Sequence, residues 1–181
     1  LREGIAQQKN GAHILDVNVG LPEIDEPALM EQVVCRLQGV TDLPLQIDTS
    51  DPQAMERALR AYNGKPLINS VNGKAESMRT VFPLAKKYGG VVVCLTLDED
   101  GIPETAQGRL AVARKIVETA AQYGIAKKDL LVDVLTMTVS TGQDAAKVTL
   151  EALRLVRQEL GVHTVLGVSN VSFGLPQREV V

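Results

Sequence analysis

The sequence predicts a parallel α/β fold in which strands and helices alternate, and it favours closure into a barrel over an open doubly wound sheet. Three observations lead there. Short apolar runs recur along the chain with helix-periodic stretches between them, and strands alternating with helices require crossovers and so a parallel sheet. The first strand runs into Asp16-Val17-Asn18-Val19-Gly20-Leu21-Pro22, which lacks the G-x-G-x-x-G turn that opens a dinucleotide-binding sheet. Nearly every strand ends in a polar residue, as expected when all strands surround one site at the C-terminal face of a barrel.

Strands are expected at Ala12–Asn18, Pro44–Thr49, Leu67–Val71, Val91–Leu97, Leu130–Leu135 and His163–Phe173. Between them, Met55, Leu59 and Tyr62, and then Leu110, Ala113, Val117 and Ala120, carry the spacing of buried helix faces. Gly11, Gly64, Gly89, Gly124 and Gly161 each fall shortly before a strand, where a helix must stop, and read as C-terminal caps. Ser50 or Asp51 before Pro52 marks a helix start, and Asp25 before Pro27, Thr105 and Thr141 are weaker starts of the same kind. No linker, repeat or low-complexity tract interrupts the series, so residues 1–181 are expected to form a single domain. Because the chain opens on Leu1 and stops at Val181 just after a strand, that domain is expected to be truncated at both ends.

Composition narrows the function. A hydrophobic fraction of 45% over 181 residues suits one substantial core. The net charge of −3, without a run of Lys or Arg, argues against nucleic acid as a partner. Neither a membrane span nor a signal peptide is expected, so the chain reads as soluble and cytoplasmic. Cys35 and Cys94 have no metal or redox spacing and are expected to be buried and reduced. His13 and His163 both stand at strand beginnings, away from the strand ends, which leaves no zinc ligands and no Ser-His pair; no metal site is expected. The Asp98-Glu99-Asp100-Gly101 cluster lacks the later glutamate of a calcium loop and reads as a solvated loop.

The strand ends carry Asp16 and Asn18, then Asp48, Thr49 and Ser50, then Asn69, Ser70 and Asn72, with Thr96, Asp98, Asp133, Ser169, Asn170 and Ser172 further along. Carboxylates and amides without a nearby Lys, Arg or His make an acceptor-rich site suited to a ligand bearing N–H groups, such as a flat heterocycle. A carboxylate can take two parallel N–H bonds from a ring nitrogen and its exocyclic amine, and Asp48 and Asp133 are the candidates. Asn69 and Asn170 can each donate to one ring atom while accepting from another. A single polar residue after a strand more often caps the next helix, and that reading is taken for Ser50, Asp51 and Asp25. Asp48, Asn69 and Asp133 lie inside apolar runs, where a polar group needs a partner.

Four segments then become recognisable together. They are Gly11-Ala12-His13-Ile14-Leu15-Asp16-Val17-Asn18, Leu45-Gln46-Ile47-Asp48-Thr49-Ser50, Ile68-Asn69-Ser70-Val71-Asn72-Gly73, and residues 166–176 beginning Leu166-Gly167-Val168-Ser169-Asn170. In that order they resemble the pterin-binding domain of corrinoid-dependent methyltransferases. The resemblance is greatest to the folate-binding module of cobalamin-dependent methionine synthase and next to methyltetrahydrofolate:corrinoid/iron–sulfur protein methyltransferase. It implies a TIM (β/α)8 barrel, here without its first and last βα units. The implied activity is binding of 5-methyltetrahydrofolate and transfer of its N5-methyl group to cob(I)alamin carried by a corrinoid-binding domain or protein. It further implies that Asp48, Asn69 and Asp133 hold the pterin, joined by Gly167 and Ser169 on the last strand, and that Asn170 bonds near N5 as the catalytic residue; Asn18 is counted among the binding residues. A homodimer is a further expectation by resemblance. The related dihydropteroate synthases use Lys and Arg near the last strands on a diphosphate leaving group. Leu166–Asn170 carries neither, which favours the methyltransferase branch, with a non-catalytic pterin-binding fragment as the alternative.

Overall fold

A computed structural model describes residues 1–140 and 142–178. Thr141, expected to start a helix, and Val181 lie outside the described residues. The elements follow in the order α1 (Arg2–Lys9), β1 (Leu15–Val17), α2 (Glu26–Gln38), β2 (Leu45–Asp48), α3 (Pro52–Ala61), β3 (Leu67–Asn72), α4 (Ala75–Tyr88), β4 (Val91–Leu95), α5 (Ala106–Gln122), β5 (Leu130–Asp133), α6 (Ala145–Leu160) and β6 (His163–Val165). The strands join in the order β1-β2-β3-β4-β5-β6, and the pairs β1–β2, β2–β3 and β5–β6 are parallel. This sequential order is that of a TIM-barrel sheet; a doubly wound sheet would reverse at a switch point. No helix among the described residues is long and apolar enough to cross a membrane.

The chain divides into two compact units, one of residues 1–70 with 80–92, the other of residues 71–79 with 93 onward. In the first, α2 buries Met30, Val34 and Leu37 and packs on α3, which buries Ala54, Met55, Ala58 and Leu59; Leu45 and Ile47 of β2 are buried in the same unit. The spacing of three and four residues puts each set on one helix face, and each fully buried Leu or Ile contributes about 2 kcal/mol. Gln38 ties the two helices: its amide donates to Val34 O and Ala61 O, each at 3.1 Å, and accepts from Asn63 N. Cys35 is exposed, against expectation, because it follows Val34 by one residue and so sits about 100° around the helix from the buried stripe.

In the second unit, Leu110, Ala113, Ile116, Val117 and Ala120 of α5, and Ala152, Val156 and Leu160 of α6, form the buried helix faces, with Leu130 and Val132 of β5 in the same core. Cys94 is fully buried, and that burial pushes its thiol well above the usual range. The expected helix starts hold: Asp25 accepts from Ala28 N, Asp51 from Gln53 N, and Thr105 from Gly108 N. Gly11, Gly89, Gly124 and Gly161 take positive φ. Gly64 does not cap its helix. α3 closes at Tyr62 in extended backbone, and the tyrosine ring folds back so closely that a Cβ at Gly64 would meet it at 3.2 Å, while its hydroxyl accepts from Leu45 N.

The last strand is much shorter than expected. It ends at Val165, and Val168–Ser172 form a 3-10 turn, with Asn170 N bonding Gly167 O and Phe173 N bonding Asn170 O. Val168 and Val171 are three residues apart, the period of that turn rather than of a strand.

Candidate functional site

In the first unit, β2 and β3 pair so that Asp48 stands opposite Asn69, and β1 ends one residue before Asn18. Asn18 Nδ2 donates to Asp48 Oδ2 at 3.0 Å, and Asn18 Oδ1 accepts from Gly20 N at 3.1 Å. The loop after β1 therefore sets the Asn18 amide, and the amide sets the Asp48 carboxylate. Two residues earlier, one pleat step back along β1, Asp16 accepts from Gln46 Nε2. Burial raises the Asp16 pKa above its ordinary 3.8; the Gln46 bond opposes this and the Asp48 charge adds to it. The Asn69–Ser70 peptide is cis.

In the second unit, Asp133 ends β5 and is half-buried. Its Oδ1 accepts from Leu135 N at 2.7 Å, and the nearby Gly167 N–H also favours the charged carboxylate. Burial nevertheless dominates and holds its pKa above 3.8. This is the character of a carboxylate sunk in an apolar strand, whose charged form is satisfied by N–H donors. Asn170 is exposed in the 3-10 turn, and its Nδ2 lies 3.1 Å from where a Cβ on Gly167 would be. Glycine at 167 thus gives the Asn170 amide room against the main chain. Asp133, Gly167 and Asn170 come together in this way, with Ser169 exposed in the same turn. Gly167 and Ser169 were expected on a strand; they instead precede and form part of a 3-10 turn, whose i to i+3 bonds turn the chain back on itself.

Two polar clusters built on the ends of parallel strands can now be set beside known proteins. Residues 1–180 match the family described as pterin binding enzyme. The chain belongs to that family. It is 33% identical over 180 residues to methionine synthase of Mycobacterium tuberculosis, covering 93% of this chain and 15% of the relative. It is 30% identical over 183 residues to methylcorrinoid:tetrahydrofolate methyltransferase of Eubacterium limosum, covering 98% of this chain and 66% of the relative. Among solved structures, Yersinia pestis DHPS with a pterine–sulfa conjugate superposes with a TM-score of 0.71 at 19% identity, covering 99% of this chain and 74% of that one, a likeness of fold. The chain therefore spans about 15% of the methionine synthase and about two thirds of the Eubacterium limosum protein. The Eubacterium limosum relative is by name a methyltransferase.

Sequence reasoning missed two cations beside the second cluster, having placed no Arg near the strand ends. Arg109, on α5 and 2% exposed, donates from Nη1 to Val134 O at 3.1 Å, Leu135 O at 2.8 Å and Thr149 Oγ1 at 3.3 Å, and from Nε to Pro103 O at 3.0 Å. Burial lowers its pKa. Its signal was faint but present: Arg109 sits beside Leu110 with the spacing of the buried face, 109, 113, 116 and 120. Arg178 donates to Ser169 O at 3.0 Å and lies over the Phe173 ring; eight residues beyond Asn170, it has no periodic relation to the strand ends. The Asp98 loop closes on itself through Asp98 and Gly101, and Glu99 accepts from Ala75 N at the start of α4 and from Lys115 Nζ.

Proposed function

We propose that this chain binds 5-methyltetrahydrofolate through its pterin ring and presents the N5-methyl group to cob(I)alamin carried by a corrinoid-binding domain or protein. The observation that carries the reading is Asp133, a half-buried carboxylate at the end of β5 with a raised pKa, held among the described residues by main-chain N–H groups. Such a group favours a ligand that supplies further N–H donors, as the ring nitrogen and exocyclic amine of a pterin do. In the first unit, Asp48 and Asn69 stand opposite one another on adjacent strands and set an acceptor beside an amide, with Asn18 holding Asp48. Gly167 and Ser169 supply main chain beside Asp133.

The corrinoid supplies the nucleophile. In the transfer the N5–CH3 bond breaks, the methyl carbon leaves as a cation equivalent, and N5 keeps the electron pair and takes up a proton. Asn170 cannot give that proton. Its amide lowers the barrier by a hydrogen bond that strengthens as charge grows on N5, worth about 2–4 kcal/mol by analogy with oxyanion-hole amides; the proton comes from solvent or an extended network. The same groups would serve transfer in the opposite direction, from methylcorrinoid to tetrahydrofolate, the direction in the name of the Eubacterium limosum relative.

The test is methyl transfer from 5-methyltetrahydrofolate to free cob(I)alamin, read from the corrinoid spectrum. Transfer by the wild-type protein supports the assignment. Binding without transfer at any corrinoid concentration would leave only a pterin-binding module. Turnover of 6-hydroxymethyl-pterin diphosphate with p-aminobenzoate would place the chain with the synthases instead.

A further inference from the structure

The buried guanidinium of Arg109 is not used in the function proposed above. Its partners among the described residues are neutral oxygens, and two of them are consecutive carbonyls, Val134 O and Leu135 O, in the turn that leaves β5 directly after Asp133. Thr149 Oγ1 adds a further bond to Leu135 O at 3.3 Å. Leu135 has φ of 64°, the left-handed region that residues with a side chain disfavour. With its carbonyl so held, the Leu135 N–H points back to Asp133 Oδ1 at 2.7 Å.

We propose that Arg109 is a positioning residue that clamps the Val134–Leu135 turn and thereby orients the Asp133 carboxylate for an N–H-bearing ligand. Leucine at φ of 64° is the cost of the turn, and the clamp from Arg109 and Thr149 offsets it. The Leu135 N–H takes one carboxylate oxygen and the Gly167 N–H a further share, and the acceptor capacity left over is what the pterin of the reading above, on which this inference rests, would use. Arg109 touches no reacting atom in this role; it acts through the main chain.

The experiment is an NMR titration of the Asp133 carboxyl carbon in the full chain. Arg109→Lys keeps the charge, so a change reports the lost fork of hydrogen bonds rather than lost Coulomb attraction. Loosening Leu135 withdraws an N–H that favours the carboxylate, and the Asp133 midpoint is expected to rise by about one pH unit. Adding Leu135→Gly to Arg109→Lys is expected to bring the midpoint back toward wild type, since glycine adopts positive φ without a clamp. Thr149→Val, which keeps the side-chain shape, gives a smaller shift of the same sign and decides the matter if Arg109→Lys does not fold. An unchanged midpoint in a folded Arg109→Lys or Thr149→Val protein, or a double variant that stays at the single variant's value, overturns the proposal.

A parallel titration with 5-methyltetrahydrofolate separates the two readings. An affinity loss of about tenfold in Arg109→Lys, recovered in the double variant, supports service to the ligand site. A shifted midpoint with wild-type affinity overturns that service. No binding by the wild-type protein removes the pterin reading, while the Asp133 midpoint still decides the clamp.

Discussion

Asp48 and Asp133 end two strands of the same sheet, yet they are held in different ways. Asp48 is met by a side-chain amide, Asn18, which is itself set by one main-chain N–H of an exposed loop. Asp133 is met by main-chain N–H groups, and the turn that supplies one of them is fastened by a buried arginine. A side-chain bracket can be rebuilt by rotation about two torsions, whereas a main-chain bracket moves only with its turn. The difference teaches that the second unit holds its acceptor more rigidly and pays for it in desolvation, while the first leaves its acceptor adjustable.

Asn170→Ala is the largest expected effect and tests whether chemistry belongs to the second cluster. Methyl transfer to cob(I)alamin should fall by about 30- to 1000-fold while affinity for 5-methyltetrahydrofolate stays within a few-fold. Transfer at the wild-type rate would remove the role.

Next come the two carboxylates themselves. Asp133→Asn should weaken methyltetrahydrofolate binding by about 100-fold and Asp48→Asn by about tenfold, since a charge-assisted bond is worth more where water is excluded. Equal losses in a calorimetric titration would erase the contrast. Stability carries the opposite sign. The folded Asp133 has a pKa above 3.8, so from pH 3.8 up to that raised value the folded protein binds the proton more tightly than the unfolded chain, and stability falls as pH climbs. Asp133→Asn should therefore flatten that part of the profile and raise the melting temperature at pH 7; a lower melting temperature there would show that the carboxylate is not a net cost.

A smaller effect is expected from Asn18→Ala. Losing the bracket on Asp48 should cost about 1 kcal/mol of binding, roughly fivefold, and leave the melting temperature nearly unchanged because Asn18 is exposed. A loss as large as that of Asp48→Asn would mean that Asn18 touches the ligand itself.

The smallest contrast lies in the helix starts. The Asp51 side chain caps α3, while Asp144 makes no side-chain cap bond at α6. Asp51→Ala should cost about 1 kcal/mol in urea unfolding and Asp144→Ala close to nothing.

Much of this was legible in the residues. Capping carboxylates before Pro27 and Pro52, and glycines at 89, 124 and 161, announce helix boundaries because they answer local needs of the main chain. Asp48, Asn69 and Asp133 stood out because each interrupts an apolar run. What escaped had a non-local cause. Gly64 was read as a cap, but its smallness accommodates a tyrosine ring that folds back over it. Cys35 was read as buried from residue type, although its position one step past Val34 turns it outward. The apolar run His163–Phe173 predicts strand throughout, and only the bonds of residues 167–173 reveal a 3-10 turn.

By itself, the order of residues determined the alternation of strands and helices, the family, and which polar side chains are candidates for the site, because periodicity and chain punctuation act within a few residues. Tertiary structure alone decided how each acceptor is held: that Asn18 answers Asp48 from 30 positions away, and that Arg109 reaches across 26 to the turn beside Asp133. Hydrogen bonds at such separations depend on where packed helices and strands place their side chains, and local spacing carries no record of it.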